Sequence, residues 1–180
     1  SVIKNHELTI GYFSQEATDQ LNEKATVVEE FMAQTGKSRE HEVRPALARF
    51  GFGHDKLGTL IEDLSGGEKS RFMFCLICIS HANLIILDEP TAGLDPISAA
   101  AFDQLLLTLR DALGFTVFLV THDLDTLYTI CDRVAVLAQK RVLITDTLEA
   151  VAAMDDPWIQ DYFHGPRGRA VKQIAGTQQE

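Results

Sequence analysis

Leu84-Ile85-Ile86-Leu87-Asp88-Glu89 is a run of four apolar residues that ends in two adjacent carboxylates, with Pro90 directly after them. Such a short, wholly apolar run is typical of a strand in a parallel sheet that is covered on both faces. Because ligands of open parallel sheets bind beyond the carboxyl ends of the strands, Asp88 is suited to hold a hard cation and Glu89 to orient and deprotonate an attacking water. The alternative, in which the acids only cap a helix, does not explain their adjacency.

A second motif, Leu64-Ser65-Gly66-Gly67-Glu68, begins about twenty residues upstream. Ser65 and Glu68 have the spacing of a capping box that opens a helix. Capping does not account for two glycines in the first turn, since each costs about 1 kcal/mol relative to alanine in a helix. A ligand that approaches the backbone closely would account for them, and the free N–H groups and positive dipole end of a helix start favour a phosphate. The pair of motifs therefore indicates nucleotide hydrolysis.

The rest of the chain predicts an α/β fold with a parallel sheet. A strand over 7–13 precedes a helical subdomain of about residues 24–82, where a capping box from Thr26 to Glu29 opens one helix and Ser38 caps the next. In that next helix one buried face is predicted for Val43, Ala46, Leu47 and Phe50. From residue 84 onward, strands are predicted at 84–87, 115–120, 134–137 and 142–144, and helices at 97–113, 124–131, 147–154 and 158–163.

Two further polar residues follow predicted strands, and each is weak evidence by itself. His122 lies two residues past the strand that ends at Val120, so we expect it to share a sheet edge with Glu89. A lone histidine after a strand is more often structural, and only the shared edge makes His122 a candidate. Gln15, which follows the first strand, reads in isolation as a surface glutamine.

The composition is that of an acidic globular chain of 180 residues, 46% hydrophobic, with a formal net charge of −10. Polyphosphate backbones would repel such a chain, which argues against broad nucleic-acid binding. No apolar run reaches the length required to span a bilayer, no leader is visible, and the absence of an initial Met suggests an internal fragment. Three cysteines indicate a reducing compartment, and the spacing of Cys75 and Cys78 inside an apolar helix is better explained by packing than by metal or redox chemistry.

Taken together, these motifs and their order resemble the ABC ATPases over nearly the whole chain. Residues 64–68 are similar to that family's signature, 84–89 to its Walker B motif and 121–123 to its histidine switch. Ala92-Gly93-Leu94-Asp95 resembles the D-loop, and Tyr12-Phe13-Ser14-Gln15 resembles the Q-loop. The resemblance implies a P-loop NTPase-like fold in which two nucleotide-binding domains sandwich ATP head to tail. Each site would combine the Walker motifs of one chain with the signature of the other.

The resemblance also implies a role for each matched residue. Glu89 would be the catalytic base, His122 a sensor of the γ-phosphate, and Asp88 the holder of Mg²⁺. Gln15 would contact the metal and the attacking water. The partner's nucleotide would be contacted by the signature residues and by the D-loop aspartate, namely Ser65, Gly66, Gly67, Glu68 and Asp95. ATP and Mg²⁺ are thus the expected cofactors.

The family's phosphate loop, Walker A, has no match in the sequence. Thr35-Gly36-Lys37-Ser38 ends like one, but the pattern G-x-x-x-x-G-K-[ST] requires a glycine where the chain has Phe31, and the segment follows Gln15 instead of preceding it. We therefore expect residues 1–164 to be a partial ABC ATPase domain that lacks Walker A and the N-terminal strands, followed by a mobile tail at 165–180. Alone, such a chain would bind ATP poorly and hydrolyse it little.

The two halves of the chain resemble different branches of the family. Residues 11–15 and 64–71 are similar to F-type proteins, soluble tandem ATPases of which many act at the ribosome, whereas 123–128 and 157–169 are similar to the Mla-type phospholipid transport ATPase. The longer match favours a transporter subunit for lipid or organic solvents. It would pair with a second nucleotide-binding domain and dock on membrane permease subunits at the cytoplasmic face of the inner membrane. Two alternatives stay open: a fragment of an F-type ATPase, and a non-catalytic partner domain that supplies only the signature.

Overall fold

The computed structural model describes residues 7–18, 20–37 and 39–165, with the backbone alone for residues 15 and 16. Contacts group the chain into two compact units, residues 1–120 and 121–180. The motifs at 64–68 and 84–89 both belong to the first unit, so their mutual geometry is defined within one compact body.

The first unit alternates strands and helices. Its strands are β1 (Ile10–Ser14), β2 (Leu84–Asp88) and β3 (Thr116–Val120). Between β1 and β2 lie α1 (Gln15–Thr18), α2 (Val27–Thr35), α3 (Glu40–Arg49), a one-turn 3-10 helix (Ile61–Asp63) and α4 (Gly66–Ile79), while α5 (Pro96–Leu113) connects β2 to β3. This order confirms the α/β class with a parallel sheet, and helices occupy the stretch where the helical subdomain is predicted.

The three strands form a parallel sheet in chain order, β1-β2-β3. Right-handed crossovers between parallel strands in chain order put their connecting helices on one face of the sheet. On that face Ile85 and Leu87 are fully buried, and Phe13 of β1 contacts Phe102 of α5 with ring centroids 6.2 Å apart. The core of the first unit therefore lies between the sheet and the helices α4 and α5, which also contact each other.

The prediction that the apolar strands are covered on both faces is wrong for the described residues. On the face opposite α5, Tyr12 is 56% exposed and Phe118 is 59% exposed, and Leu84 and Ile86 of β2 are only half-buried. Chain order is the physical reason, because both crossovers place their helices on the other side. Leu84 and Ile86 of β2 are therefore apolar although no described element covers them fully.

Aromatic rings join the helical subdomain to the sheet. Phe72 of α4 contacts Phe52 with ring centroids 5.7 Å apart. On the same helix Phe74 contacts Phe102 at 5.4 Å, and Phe102 in turn contacts Phe13 of β1. All five rings are fully buried, and tilted or edge-on pairs at these separations add about 0.5–1.5 kcal/mol each to the effect of burial. The signature helix α4 is thereby fixed to the sheet.

The local predictions for the helical subdomain are largely confirmed. Glu29 donates its N–H to the Thr26 hydroxyl oxygen, and Thr26 donates its N–H to the Glu29 carboxylate, which completes the predicted capping box. The predicted face of α3 is buried at Val43, Leu47 and Phe50. The predicted cap, Ser38, lies outside the described residues, and α3 starts at Glu40 with Arg39 at its N-cap position.

The first strand starts later than the predicted residue 7. The side-chain amide of Asn83 donates to the Glu7 carbonyl at 2.7 Å, and its oxygen accepts the Thr9 N–H at 3.0 Å. The Glu7 carbonyl and the Thr9 N–H are thus bonded to Asn83 and not to β2. The Thr9 carbonyl accepts the Leu84 N–H at 3.2 Å, and β1 begins at the next residue, Ile10.

The two cysteines of α4 are packed as the sequence predicts. Cys75 is fully buried and Cys78 half-buried, and both are free thiols. Burial raises the pKa of the Cys75 thiol, with a smaller contribution from Cys78, and raises the pKa of Cys78 to about 12. Both thiols are therefore protonated at neutral pH and behave as small apolar groups.

The second unit consists of an antiparallel hairpin and three helices: α6 (Leu124–Ile130), β4 (Val134–Ala138), β5 (Arg141–Asp146), α7 (Leu148–Ala152) and α8 (Pro157–His164). Gln139 and Lys140 form the predicted turn, both with positive φ, the conformation that matches a two-residue turn to the strand twist. Val151, Ile159 and Phe163 are fully buried in the core of this unit. Of the tail predicted at 165–180, residues 166–180 lie outside the described residues.

Within the described ranges, no helix combines the length and apolar character that crossing a membrane requires.

Candidate functional site

The carboxyl ends of the three strands lie in register. Ser14 is opposite Asp88, and Asp88 is opposite Val120. The N–H of Glu89 donates to the Val120 carbonyl at 2.9 Å, so the pairing continues one residue beyond β2. The chain leaves β1 at Gln15 and leaves β2 at Glu89, which brings these two backbone positions to one edge of the sheet.

Asp88 lies half-buried at the end of β2, on the less covered face of the sheet. Its side chain shares that face with Tyr12 and Ile86 because side chains alternate along a strand. The Tyr12 hydroxyl donates to Asp88 Oδ2 at 3.4 Å. Among the described residues no three His, Cys, Asp or Glu side chains gather into a metal cage. Asp88 would supply one carboxylate to Mg²⁺, an ion that proteins commonly hold through one or two carboxylates together with phosphate and water oxygens.

Glu89 has a strained backbone. Its φ is 47°, in the left-handed region, which costs a residue with a side chain about 1–2 kcal/mol. The turn is closed by the Ala92 N–H, which donates to the Glu89 carbonyl at 3.0 Å, and Gly93 follows with φ 75°. Strained residues of this kind cluster at active sites because they aim a side chain that a relaxed backbone would not.

The signature turn has the predicted capping box and an ion pair that the sequence does not indicate. Glu68 donates its N–H to Ser65 Oγ, and Ser65 donates its N–H to Glu68 Oε2 at 2.9 Å. The other carboxylate oxygen, Oε1, lies 2.9 Å from Lys56 Nζ. Burial would raise the pKa of Glu68, but hydrogen bonds from Lys56 and Ser65 outweigh it and hold the pKa at about 2. Glu68 is thus ionised at neutral pH, with Lys56 offsetting its charge.

The two glycines of this turn differ in the space that a side chain would have. A Cβ on Gly67 would lie 2.9 Å from the Cβ of Ser98 on α5, closer than packed atoms approach. A Cβ on Gly66 would lie 3.4 Å from Leu94 Cδ2, an ordinary contact. Packing therefore explains Gly67, whereas no contact among the described residues requires a glycine at the exposed Gly66. The same neighbours show that the segment after Glu89 packs on the signature turn within one unit.

Asp95 acts first as a helix cap. Its Oδ1 accepts the N–H groups of Ile97 and Ser98, each at 3.0 Å, at the start of α5. The Ser98 hydroxyl and backbone N–H lower the pKa of Asp95 through their hydrogen bonds. Since Oδ1 is engaged in the cap, a contact with nucleotide would fall to the remaining carboxylate oxygen.

The structure locates the other predicted residues less completely. Gln15 begins the single turn α1, and its side chain lies outside the described atoms. His122 belongs to the second unit, where its carbonyl accepts the Tyr162 hydroxyl at 2.8 Å. Gly36 has φ 68° and ends α2, so the Thr35–Ser38 segment begins as a helix end and does not follow a strand.

Sequence reasoning missed four residues that touch the predicted site residues: Tyr12, Lys56, Ser98 and Tyr162. The contacts of Tyr12, Lys56 and Tyr162 join separate segments of the sequence, such as the 76 positions between Tyr12 and Asp88. Ser98 contacts Gly67 on another helix and also Asp95, three positions before it. Period-2 alternation predicts the face of β1 that carries Tyr12, but the pairing of β1 with β2 was needed to find its neighbour. For Lys56 and Tyr162 no local signal existed, whereas Ser98 has the spacing of a helix-capping contact with Asp95.

Comparison with known proteins agrees with this geometry. The family described as ABC transporter matches residues 2–92. The chain is 35% identical over 107 residues to the methionine import ATP-binding protein MetN of Haemophilus ducreyi, covering 57% of this chain and 31% of that protein. It is 34% identical over 151 residues to the energy-coupling factor transporter ATP-binding protein EcfA2 of Clostridium perfringens, covering 81% of this chain and 52% of that protein.

A solved structure extends the likeness to three dimensions. CbiO1 from Clostridium perfringens, described as part of the ABC transporter complex cbiONQ, superposes with a TM-score of 0.70 at 30% identity, covering 91% of this chain and 67% of that one. The fold is thus that of the P-loop ATPases that power ABC transporters. The chain belongs to the ABC transporter family, to its ATPase domain, and it spans about a third to a half of the length of MetN and EcfA2.

Proposed function

We propose that this chain is an ATP-binding and ATP-hydrolysing subunit of an ABC transporter that acts in a head-to-tail pair with a second nucleotide-binding domain. The observation that carries the proposal is the combination, in one compact unit, of Asp88 and a strained Glu89 at a strand edge with a capped, solvent-facing helix start at Ser65. The first set suits water activation, and the second suits a phosphate that approaches from outside the chain.

In this proposal Asp88 holds Mg²⁺, and Tyr12 keeps the Asp88 carboxylate in place through its hydroxyl. Glu89 accepts the proton of the attacking water, while Gln15 and His122 contact the metal, the water and the γ-phosphate. When bound, the ion neutralises charge on the phosphates. Gly66 and Gly67 offer backbone N–H groups to the partner's nucleotide. The Ser65 hydroxyl, which donates to Glu68 Oε2 at 2.9 Å in this structure, joins them by turning its proton to the phosphate. Asp95 reaches the same nucleotide through the carboxylate oxygen that does not cap α5.

We further propose that the 180 residues alone bind Mg-ATP weakly because they supply no phosphate loop. The one Gly-Lys pair in the sequence, Gly36-Lys37, sits at the end of α2. Calorimetric titration should give a Kd weaker than about 1 mM, equivalent to about 4 kcal/mol of binding free energy. Micromolar binding to the isolated chain would refute this part.

A non-catalytic partner role is the second candidate, and the signature turn favours it. The capping box, the Lys56 ion pair and the close packing of Gly67 on Ser98 form that turn without any ligand. ATPase assays of the chain alone and mixed with an intact homologous domain separate the two candidates. Activity of the mixture that falls when this chain carries Glu89→Gln supports the catalytic subunit, whereas activity that survives Glu89→Gln and is lost on Ser65→Arg supports the partner role.

The permease would dock in a groove of the first unit. A cavity of about 310 Å³ lies between α1, the end of α2 and α4, and its lining includes Tyr12, Ala17, Leu21, Gln34, Met73 and Ile77. Its mixed apolar and amide lining suits a short amphipathic helix from a membrane protein at the cytoplasmic face of the membrane. Ala17→Arg should abolish co-purification of an integral membrane protein with the chain, whereas Ala100→Arg, on the exposed side of α5, should not.

The proposed cargo is a lipid or an organic solvent, which is the most specific part of the proposal. It depends on the likeness of residues 157–169 to the Mla-type ATPase. The relatives found by comparison include proteins named for other cargoes, methionine import at 35% identity and fluoroquinolone export at 39%. Extraction of the purified transporter complex should yield enriched phospholipid. An apolar cargo other than lipid would leave the extract at the level of a detergent-only control.

A further inference from the structure

We propose that Tyr162 is a positioning residue for His122: its hydroxyl fixes the backbone of the histidine loop and so sets the orientation of the imidazole. Tyr162 Oη donates to the His122 carbonyl oxygen at 2.8 Å, across 40 positions of sequence. Both residues belong to the second unit. The inference rests on the proposed role of His122 and adds a residue that lies outside the 2–92 segment matched by the ABC transporter family.

The loop that carries His122 is held on either side of the histidine. The Asp123 N–H donates to Thr121 Oγ1 at 3.1 Å, and Asp123 Oδ1 accepts the Asp125 N–H at 2.9 Å at the start of α6. Neither bond involves the peptide carbonyl of His122 itself. The Tyr162 hydroxyl supplies the contact at that carbonyl, so rotation of the 122–123 peptide plane would break it.

The helix that carries Tyr162 is firmly anchored. Ile159 and Phe163, on the inner side of α8, are fully buried in the core of the second unit. Gln160 donates its side-chain amide to the Met154 carbonyl at 2.7 Å, and His164 Nε2 lies 2.8 Å from the Ala152 carbonyl. A helix fixed at these points can impose a position on the histidine loop.

The Tyr162 ring is itself oriented by its neighbours. It stacks on Trp158 with ring centroids 5.2 Å apart and an interplanar angle of 8°, and it meets Phe163 edge-on at 5.1 Å. These contacts fix the direction of the phenol bond, which is the condition for a hydroxyl to position another group. Tyr162→Phe would keep both ring contacts and remove the hydroxyl that bonds to His122.

The test is NMR spectroscopy of the full 180-residue chain, using the imidazole Hε1 signals, with His122 assigned by its loss in His122→Gln. In Tyr162→Phe the His122 signal and the amide signals of residues 121–123 should shift or broaden beyond the wild-type line width. The other histidines should not move. Tyr128→Phe is the matched control, because the Tyr128 ring packs on the same core from α6.

Superimposable His122 signals in wild type and Tyr162→Phe, or an equal change in Tyr128→Phe, would overturn the proposal. A second arm measures ATP hydrolysis by this chain mixed with an intact homologous domain, because the chain alone is expected to bind Mg-ATP weakly. If His122→Gln leaves that hydrolysis unchanged while Tyr162→Phe alters the His122 signal, the γ-phosphate sensor role fails and the positioning by Tyr162 stands. If His122→Gln lowers hydrolysis and Tyr162→Phe leaves the His122 signal unchanged, the reverse holds.

Discussion

At the scale of single residues, Glu89 combines a proposed chemical role with a conformation that opposes it. A φ of 47° is unfavourable for any residue with a Cβ, and the pairing of its N–H with Val120 and the Ala92 turn maintain it. The backbone strain at Glu89 therefore lowers the stability of the fold while it directs the carboxylate, and strain of this kind is common at active sites.

This relation predicts that Glu89→Gly is more stable than Glu89→Ala by about 1 kcal/mol, since both variants lack the carboxylate and only glycine relaxes at positive φ. Urea unfolding of the two variants measures the difference. Glu149, exposed in the helix α7, is the matched control. There glycine should be the less stable substitution by up to about 1 kcal/mol. Equal stability of the two Glu89 variants would contradict the strain.

Gly67 is the second residue whose reason is structural. Gly67→Ala should destabilise the chain by about 1–3 kcal/mol, because its Cβ would overlap the Ser98 Cβ 2.9 Å away. Adding Ser98→Gly to that variant should recover most of the loss, whereas Gly66→Ala should change stability little. Denaturant unfolding of the two alanine variants, of Ser98→Gly and of the double variant measures these effects. The packing explanation is disproved if Gly67→Ala costs the same in the wild-type chain as in the chain that carries Ser98→Gly.

At the scale of elements, the start of α4 is an electrostatic arrangement as well as a cap. Glu68 contributes stability through its lowered pKa, which lies at about 2 in the folded chain against an ordinary 4.5. For a lowered carboxyl pKa the stabilisation is fully present above the unfolded value and is lost as pH falls towards the folded one. The relevant window is therefore between about pH 4.5 and pH 2.

Glu68→Gln should lower stability at pH 7 by about 1 kcal/mol, a discounted value because Lys56 is substantially exposed. The difference between wild type and variant should shrink as pH falls from about 5 to about 3. Urea midpoints across that range measure it, with Glu62→Gln on the adjacent 3-10 helix as the control. A difference that is constant with pH would show that the Lys56–Glu68 pair does not stabilise the turn.

Much of the element order was predictable because the local signals are strong. The capping boxes at Thr26 and Ser65 and the apolar runs of β2 and β3 each determine one element from a few residues. The uncovered sheet face was not predictable, since it depends on strand order. The contacts of Lys56 and Tyr162 could not be predicted either, because they join separate segments and no periodicity of the sequence indicates that these segments lie close together.

At the scale of the whole molecule, the two motifs belong to one compact unit but are proposed to serve different nucleotides. Leu94 and Ser98, which follow Glu89, pack on the signature glycines. Movement at a nucleotide bound to Asp88 and Glu89 would therefore reach the surface offered to the partner's nucleotide through direct contact. A net charge of −10 also means that a pair of such chains needs specific contacts or bound cations to associate.

ATP hydrolysis by a mixed pair is the decisive measurement of the proposed head-to-tail pairing around nucleotide. The measurement combines this chain with a homologous ATPase domain that has all its motifs except that its signature serine is replaced by arginine. No copy of the homologue can then supply a working signature to the nucleotide of another copy. Head-to-tail pairing predicts that adding this chain restores hydrolysis and that the same chain carrying Ser65→Arg does not. A mixture that stays at the rate of the homologue alone would contradict it.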